Sequence, residues 1–175
     1  EFNALLQAAA LSTNPYRNRA LLLLMIDSGA RASEICGIAL GELDLEEQRV
    51  LLHGKGEKDR YVYVGVRASR ALYDYLSHAR RDVERDRHEP LFMSERGESL
   101  TRSGLLALFR RLRIEAGLRN RCYPHMMRRT FATEFLCAGA PIKDVQRQLG
   151  HTSAKQTMEY LYSSEARLKE NHRRF

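Results

Sequence analysis

Residues 124–160 read PHMMRRTFATEFLCAGAPIKDVQRQLGHTSAKQTMEY, and this stretch guides the interpretation of the whole chain. It contains His125 and Arg128 three residues apart, His151 after a Leu-Gly pair, and Tyr160 nine residues further on. An imidazole accepts a proton near neutral pH, a guanidinium binds two phosphate oxygens at once, and a phenol beside such groups becomes a nucleophile. These four side chains therefore suggest chemistry at a phosphate.

The composition predicts one folded domain with a basic surface. A chain of 175 residues can bury roughly 70% of its unfolded surface, enough for a core without disulfide or metal staples. Hydrophobic residues make up 43% and charged residues 29%, which is too apolar for a disordered chain. The formal net charge of +7 favours a polyanionic partner, although charge alone favours nucleic acid only slightly.

The cysteines and the longest apolar run indicate a cytoplasmic protein. Cys36, Cys122 and Cys137 are odd in number and form no CxxC pair, so we interpret them as reduced packing residues, without a disulfide framework or zinc site. The longest apolar run, residues 20–26, is too short to span a membrane. Because the chain starts without Met and enters a helical pattern almost at once, we expect a domain of a longer protein.

Two helices are predicted at the start of the chain. Residues 2–11 form the first, and the second begins at Pro15 with Asn14 as its N-cap and ends near Ser28. Gly29 suits the C-terminal stop of this second helix. Its run LLLLMI is apolar all round, which predicts a helix in the middle of the core.

A short helix and a hairpin are predicted next. The short helix would put Arg31 and Glu34 one turn apart on one face. Between residues 49 and 66 the pattern changes to that of strands, as RVLLH, then a charged GKGEKDR, then YVYVGV. This predicts an antiparallel hairpin with Lys55 at or near its tip.

The middle of the chain predicts a long helix and a short strand. The helix covers residues 67–87, with a mixed-charge, solvated tail and an apolar face of Leu72, Tyr75, Leu76 and Ala79. Residues 90–94 suggest a short strand. Thr101 then caps a further helix that ends near Gly117.

Five arginines and only one acid, Glu115, lie between residues 110 and 121. A solvated helix face and a phosphate-facing ridge explain this charge run equally well. On the helix that follows, apolar residues recur every four positions and predict a buried stripe of Met127, Phe131 and Phe135. That stripe turns His125 and Arg128 toward one flank.

The last predicted helices complete the fold class. Residues 142–149 form a helix that ends at Gly150, and Thr152 would cap the helix that carries Tyr160. All patterns together predict a mainly helical α+β domain with a small antiparallel β-sheet.

The order Arg, Lys, His-x-x-Arg, His, Tyr resembles the tyrosine recombinase, or phage integrase, family. The matching pieces are SGARASEI around Arg31, HGKGEKDRYVYV around Lys55, YPHMMRRTFAT around His125 and Arg128, QLGHTS around His151, and TMEYLY around Tyr160. Each piece is weak alone, but five in order over nearly the whole chain are specific. The resemblance implies that residues 1–175 form the catalytic domain, and that the family's N-terminal DNA-clamping domain is absent from this chain.

The resemblance implies site-specific DNA recombination, in which strands are cleaved and rejoined through a covalent 3'-phosphotyrosyl intermediate. Tyr160 would be the nucleophile, and Arg31 and Arg128 would hold the non-bridging oxygens of the scissile phosphate. The family uses no metal or other cofactor. This suits a site whose own cations supply the positive charge.

Three further catalytic roles are implied by the resemblance. His125 would accept the phenol proton, because a phenol with a pKa of roughly 10 is a poor nucleophile unaided. His151 would donate a hydrogen bond to the phosphate. Lys55 would protonate the departing 5' oxygen, although Lys58 in the same loop is an alternative.

The expected partner is double-stranded DNA, bound by a homo-oligomer that is a tetramer in this family. Residues 164–172 look like a short helix with few apolar positions, so the C-terminal tail has little to bury on its own domain. In the family such a tail is exchanged between subunits. We expect the same here, and no contact with membranes.

Ordinary structural roles remain open for each residue of the motif. Arg31 could form a surface ion pair with Glu34, both histidines could cap helices, and Tyr160 could be a core residue. Rival functions are a type IB topoisomerase-like DNA relaxation and a non-catalytic DNA-binding module of the same fold. Two positions depart from the family: Arg129 stands where another His is common, and Tyr162 where His is frequent.

Overall fold

The computed structural model describes residues 1–54, 59–80, 86–119, 122–151, 157–158 and 160. Its elements are α1 (Phe2–Leu11), α2 (Pro15–Ser28), α3 (Ala32–Gly37), β1 (Leu43–Asp44), β2 (Arg49–Leu52), β3 (Arg60–Tyr63), α4 (Val66–His78), α5 (Arg102–Glu115), α6 (Pro124–Cys137) and α7 (Ile142–Leu149). The predicted class, mainly helical with a small antiparallel sheet, is confirmed.

Helix α2 lies at the centre of the core, as its apolar run predicts. Residues 20–25 are all at most 2% exposed, and α2 packs against α1, α4 and α6. Gly29 ends the helix in the left-handed region with φ of 62°. A Cβ at Gly29 would lie 2.5 Å from Cδ1 of Phe131, so the glycine also permits the close approach of α6. The end of α2 is therefore pinned against the helix that carries the His-x-x-Arg motif.

The sheet has the order β1-β2-β3 with both pairs antiparallel. Leu52 pairs with Arg60 at one end of the hairpin, and alternate residues Val50, Leu52 and Val62 are buried. The predicted hairpin is confirmed, whereas its loop with Lys55 lies outside the described residues. Strand β1 is only two residues long, too short to produce a detectable alternation.

The helix predicted over residues 67–87 is confirmed at its start but is wrong in its length, because α4 ends at His78. Leu72, Tyr75 and Leu76 are buried as expected, but Ala79 is exposed. The cause is Arg80, which is 6% exposed and donates to the carbonyl of Leu91 at 3.0 Å and to Oε2 of Glu89 at 2.7 Å. An arginine that turns inward to satisfy carbonyls draws the chain away from the helix axis.

The predicted strand over residues 90–94 is also wrong. The structure has isolated bridges there, Ala39 with Pro90 and Met93 with Ser99. The helix predicted after Thr101 is confirmed, since its Oγ1 accepts from the amide of Gly104 at 3.1 Å.

The predicted stripe on α6 is only partly correct. Met127 and Phe131 are buried, whereas Phe135 is 37% exposed because it contacts Phe131 on one side and solvent on the other. Val145 and Leu149 of α7 cover Phe131. Arg128, expected on an open flank, is instead 3% exposed.

Candidate active site

A cleft of about 360 Å³ lies where the start of α3 meets α5 and the first turn of α6. Its polar lining comprises Arg31, Ser33, Arg102, Tyr123, His125 and Arg128. No carboxylate of the described residues lines it. A concave surface with three guanidinium groups and an imidazole is suited to a phosphate group.

Arg128 is a buried cation held by main-chain oxygens. Its Nη1 donates to the carbonyl of Gly29 and its Nη2 to the carbonyl of Leu149, both at 2.8 Å. These carbonyls belong to the C-terminal ends of α2 and α7, where the helix dipole favours positive charge. Burial and the neighbouring Arg31 lower the pKa of Arg128, while Glu34 and Tyr160 oppose them. A guanidinium nevertheless stays protonated, so Arg128 brings a fixed charge to the cleft.

Arg31 is held by a carboxylate instead. Its Nη1 lies 3.1 Å from Oε1 of Glu34, and its backbone amide donates to Oε2 at 2.7 Å. The alternative of an ion pair between Arg31 and Glu34 is correct as to the pair but wrong as to its surface location, because the Glu34 side chain is 4% exposed. Burial would raise the pKa of Glu34, but hydrogen bonds from Arg60 and the Arg31 amide hold it below its ordinary value. Glu34 therefore remains an anion that orients Arg31.

His151 and Tyr160 form a stacked pair beside α6 and α7. Their ring centroids are 6.0 Å apart and the planes differ by 14°. Nδ1 of His151 lies 2.8 Å from Oγ1 of Thr157, a fully buried hydroxyl. The bond orients the ring, because Nδ1 is engaged and Nε2 is directed elsewhere. Tyr160 is half-buried and packs against the cluster of Phe131 and Leu149.

Arg128 connects the two parts of the site. The Leu149 carbonyl that accepts from Arg128 lies two residues before His151. Besides burial, Arg31 lowers the pKa of Arg128 and Tyr160 raises it, so both side chains lie within electrostatic range of the guanidinium. The structure thus brings Arg31, His125 and Arg128 to one cleft and places the His151–Tyr160 pair next to their shared arginine.

His125 lies in the first turn of α6, after Tyr123 as N-cap and Pro124 at the first helical position. It is exposed and lines the cleft. The N-cap of α6 is Tyr123, whose side chain makes no cap hydrogen bond, so His125 is not the N-cap residue of this helix.

The structure describes the residues on both sides of the loop that contains Lys55, among them His53 and Asp59. Nδ1 of His53 lies 2.9 Å from Oδ2 of Asp59, and its Nε2 contacts Oε1 of Glu42. The contacts with Glu42 and Asp59 raise the pKa of His53. The predicted positions of Lys55, Lys58, Thr152 and the C-terminal tail lie outside the described residues.

Several site residues were not predicted. Arg102, the first residue of α5, lines the cleft, and Arg60 shares Glu34 with Arg31. Thr157 lies in the quoted stretch but gives no sequence signal of its contact with His151. Within the arginine run, Arg111 pairs with Glu95 at 3.0 Å, so this arginine has an acidic partner of its own.

Two whole-chain expectations can also be compared with the structure. All three cysteines are free thiols; Cys36 and Cys122 are partly buried, whereas Cys137 is exposed, so its interpretation as a packing residue is wrong. No helix within the described ranges has the length and apolar character needed to cross a membrane.

Comparison with known proteins identifies the relatives of this chain. The sequence model of the phage integrase family matches residues 1–167. Tyrosine recombinase XerC of Listeria monocytogenes serotype 4b is 38% identical over 155 residues, which cover 87% of this chain and 52% of that protein. XerC of Bacillus subtilis is 37% identical over 156 residues, covering 87% and 51%. The chain thus spans about half the length of the curated relatives it matches.

Solved structures share the fold. The XerA recombinase has a TM-score of 0.84 at 30% identity, covering 98% of this chain and 61% of that chain. The XerH recombinase bound to its difH substrate, in a pre-cleavage complex, has a TM-score of 0.76 at 27% identity, covering 92% and 48%. The match over residues 1–167 and these relatives show that this chain belongs to the phage integrase family of tyrosine recombinases.

Proposed function

We propose that residues 1–175 form the catalytic domain of a site-specific DNA recombinase that uses Tyr160 as its nucleophile. One observation carries this proposal: the cation-lined cleft and the His151–Tyr160 pair share the buried Arg128. A phosphate in the cleft would meet Arg31 and Arg128 together. The XerC and XerA relatives support recombination rather than topoisomerase-like relaxation as the outcome.

The reaction is a transesterification at phosphorus. Oη of Tyr160 attacks the scissile phosphorus and forms a phosphotyrosyl bond, while the bond from phosphorus to the 5' oxygen breaks. His125 accepts the phenol proton, and Lys55 gives a proton to the departing oxygen. The reverse attack by a 5' hydroxyl of another strand releases Tyr160. One phosphoester replaces another at each step, so the reaction needs no external energy and, we propose, no metal.

Arg31 and Arg128 stabilise the transition state in this proposal. Negative charge grows on the non-bridging oxygens during attack, and planar guanidinium groups match their geometry. Arg128 uses two of its five N–H donors for the carbonyls of Gly29 and Leu149 within the described part of the chain. The others remain for a phosphate. His151, oriented by Thr157, would donate from Nε2.

The proposed partner is double-stranded DNA in the cytoplasm, bound by a tetramer that exchanges C-terminal tails. The XerH relative is bound to its DNA substrate in the solved complex, which supports a DNA partner here. The net charge of +7 and the cation-lined cleft agree with such a partner. Sedimentation of the chain with and without duplex DNA tests the assembly, and a monomer on DNA would contradict it.

Trapping a covalent adduct tests the function. The chain is incubated with a pool of nicked duplexes of randomised sequence, in which the cleaved strand loses a short 5'-hydroxyl fragment and cannot be resealed. We expect a detergent-stable complex joined to a 3' phosphate, formed equally well in chelator. Binding without any adduct would indicate a DNA-binding module instead. With the enriched duplexes, strand exchange indicates a recombinase, whereas relaxation of supercoiled DNA alone indicates a topoisomerase.

A further inference from the structure

Arg60 is a buried arginine outside the cleft that contacts two parts of the site. It begins β3, and its side chain is 9% exposed. Nη1 and Nη2 donate to Oε1 and Oε2 of Glu34 at 2.9 and 3.0 Å, a paired fork against the carboxylate. Its Nε donates to the carbonyl of Gln148 at 3.0 Å. All three guanidinium nitrogens are thus engaged with distant segments.

The first segment is the anchor of Arg31. Glu34 accepts from Arg60 on one side and from Arg31 on the other. If Glu34 had Arg31 as its only partner, the carboxylate would cancel the charge that Arg31 brings to a phosphate. Among the three described residues Arg31, Glu34 and Arg60 there are two cations and one anion, so Arg60 offsets the charge that Glu34 would otherwise take from Arg31. Arg31 lines the cleft and Arg60 does not, so the excess charge faces the cleft through Arg31.

The second segment is the turn that leads to His151. Gln148 lies near the end of α7, one residue before Leu149, whose carbonyl holds Arg128. Gly150 follows with φ of 65°, and a Cβ there would lie 2.7 Å from Cζ of Arg60. The guanidinium therefore packs directly on the glycine before His151. Arg60 also pairs with Leu52 in the last strand pair before the loop of the predicted lysine hairpin.

We propose that Arg60 is a positioning residue for strand cleavage, which neutralises and orients Glu34 so that Arg31 keeps its charge for the scissile phosphate. This rests on the proposed function. A purely structural ion pair is the alternative, since loss of one partner of a buried pair commonly destabilises a protein. The two roles differ in one respect. The proposed role depends on the charge of the phosphate, and a structural role does not.

The test compares two substrates with the adduct-forming duplex as parent. One carries the normal scissile phosphate, and the other a methylphosphonate, in which a neutral methyl group replaces one charged oxygen. Arg60→Gln removes the charge but keeps hydrogen-bond donors. At saturating DNA we expect cleavage of the normal phosphate to slow by at least about 10-fold, and cleavage of the methylphosphonate by less than about 3-fold. Arg60→Lys keeps the charge, so it should cleave the normal phosphate faster than Arg60→Gln but several-fold more slowly than the unmodified chain.

Arg49→Gln is the matched control. Arg49 lies on the adjacent strand and pairs with Asp44 at 3.1 Å, but it is far more exposed. Its substitution should leave both rates unchanged. Equal losses of Arg60→Gln on the two substrates, a loss confined to DNA affinity, or wild-type rates would overturn the proposal. Absence of an adduct from the unmodified chain would instead overturn the proposed function, before any variant is compared.

If Arg60→Gln does not fold, Arg60→Lys tests the positioning role of Arg60 in its place. Lysine keeps the buried positive charge but loses the fork that orients Glu34. We then expect a several-fold slower cleavage at saturating DNA with an unchanged melting temperature and unchanged DNA affinity. A wild-type cleavage rate in this variant would contradict a positioning role.

Discussion

Arg31 and Arg128 face the same cleft but are held in opposite ways. Arg31 has a side chain that is 35% exposed and is oriented by the carboxylate of Glu34. Arg128 is 3% exposed and is oriented by two carbonyls at helix ends. The first anchor is an anion that can be titrated and needs Arg60 as a counter-charge. The second consists of peptide dipoles that keep their polarity at any pH.

Because of this difference, we expect both arginines to contribute to cleavage, but only Arg128 to contribute strongly to the stability of the fold. Arg128 satisfies main-chain oxygens of α2 and α7, so its side chain contributes to the packing of three helices as well as to phosphate binding. The carboxylate that orients Arg31 already has another partner in Arg60. Substitution of either arginine should therefore slow cleavage to a similar extent, whereas the free energy of unfolding should fall more when Arg128 is replaced.

Removal of each arginine is expected to have the largest effect. Arg128→Ala and Arg31→Ala should each slow adduct formation by at least about 100-fold, since each removes donors to the transition state. Arg128→Ala should also lower the free energy of unfolding by about 2–4 kcal/mol, because two carbonyls lose their donor. Arg31→Ala should lower it by less than about 1 kcal/mol, because the Arg31 side chain is 35% exposed and Glu34 keeps its paired contact with Arg60. Urea denaturation and single-turnover cleavage measure both quantities.

Arg129→Ala is the control for this pair. Arg129 follows Arg128 directly but is exposed, so its replacement should change the free energy of unfolding by at most about 0.5 kcal/mol. Equal destabilisation by Arg31→Ala and Arg128→Ala would show that the two anchors do not differ as described.

A smaller effect on cleavage is expected from substitution of Thr157, whose hydroxyl contacts the ring of His151. Thr157→Val keeps the shape of the side chain and removes the hydrogen bond to Nδ1. The loss of one hydrogen bond of about 0.5–1.5 kcal/mol predicts a cleavage rate lower by roughly 2- to 13-fold at saturating DNA. Thr157→Ser keeps the hydroxyl and should be close to wild type. If Thr157→Val cleaves DNA as fast as Thr157→Ser, the hydroxyl of Thr157 does not orient His151 for cleavage.

The smallest expected effect is the pH dependence of stability. The pKa of Glu34 is lowered in the folded protein, so its contribution is present above the ordinary value of 4.5 and is lost as pH falls from there through the folded pKa. Glu34→Gln should reduce the slope of unfolding free energy against pH in this window. Arg128→Lys should keep the wild-type slope, because carbonyls do not titrate. Identical slopes for all three proteins would contradict the carboxylate anchor.

Local patterns predicted much of the fold and the motif. The apolar run of α2, the stop at Gly29 and the alternation of the hairpin depend on neighbouring residues, and all are confirmed. The end of α7 at Gly150 was also predicted from neighbouring residues and is confirmed. The cleft is found where the quoted motifs place Arg31, His125 and Arg128.

The features that were missed depend on contacts between distant segments. Glu34 and Arg60 are 26 residues apart, and nothing in either neighbourhood indicates that they pair. The early end of α4 follows from the inward turn of Arg80 toward Leu91. The burial of Arg128 depends on the convergence of α2 and α7 at its side chain. Periodicity describes faces of helices and does not describe which residues from other elements meet them.

The identity of the tyrosine that becomes linked to DNA shows whether Tyr160 is the nucleophile. The sequence predicts that Tyr160 and Tyr162 lie on one helix, where two residues two positions apart differ by about 200° in direction, so we expect that their hydroxyls do not share one phosphate. Proteolysis of the trapped adduct and mass spectrometry of the DNA-linked peptide identify the residue. We expect the link at Tyr160, its loss in Tyr160→Phe with nearly unchanged DNA binding, and its persistence in Tyr162→Phe. A link at Tyr162 would contradict the account.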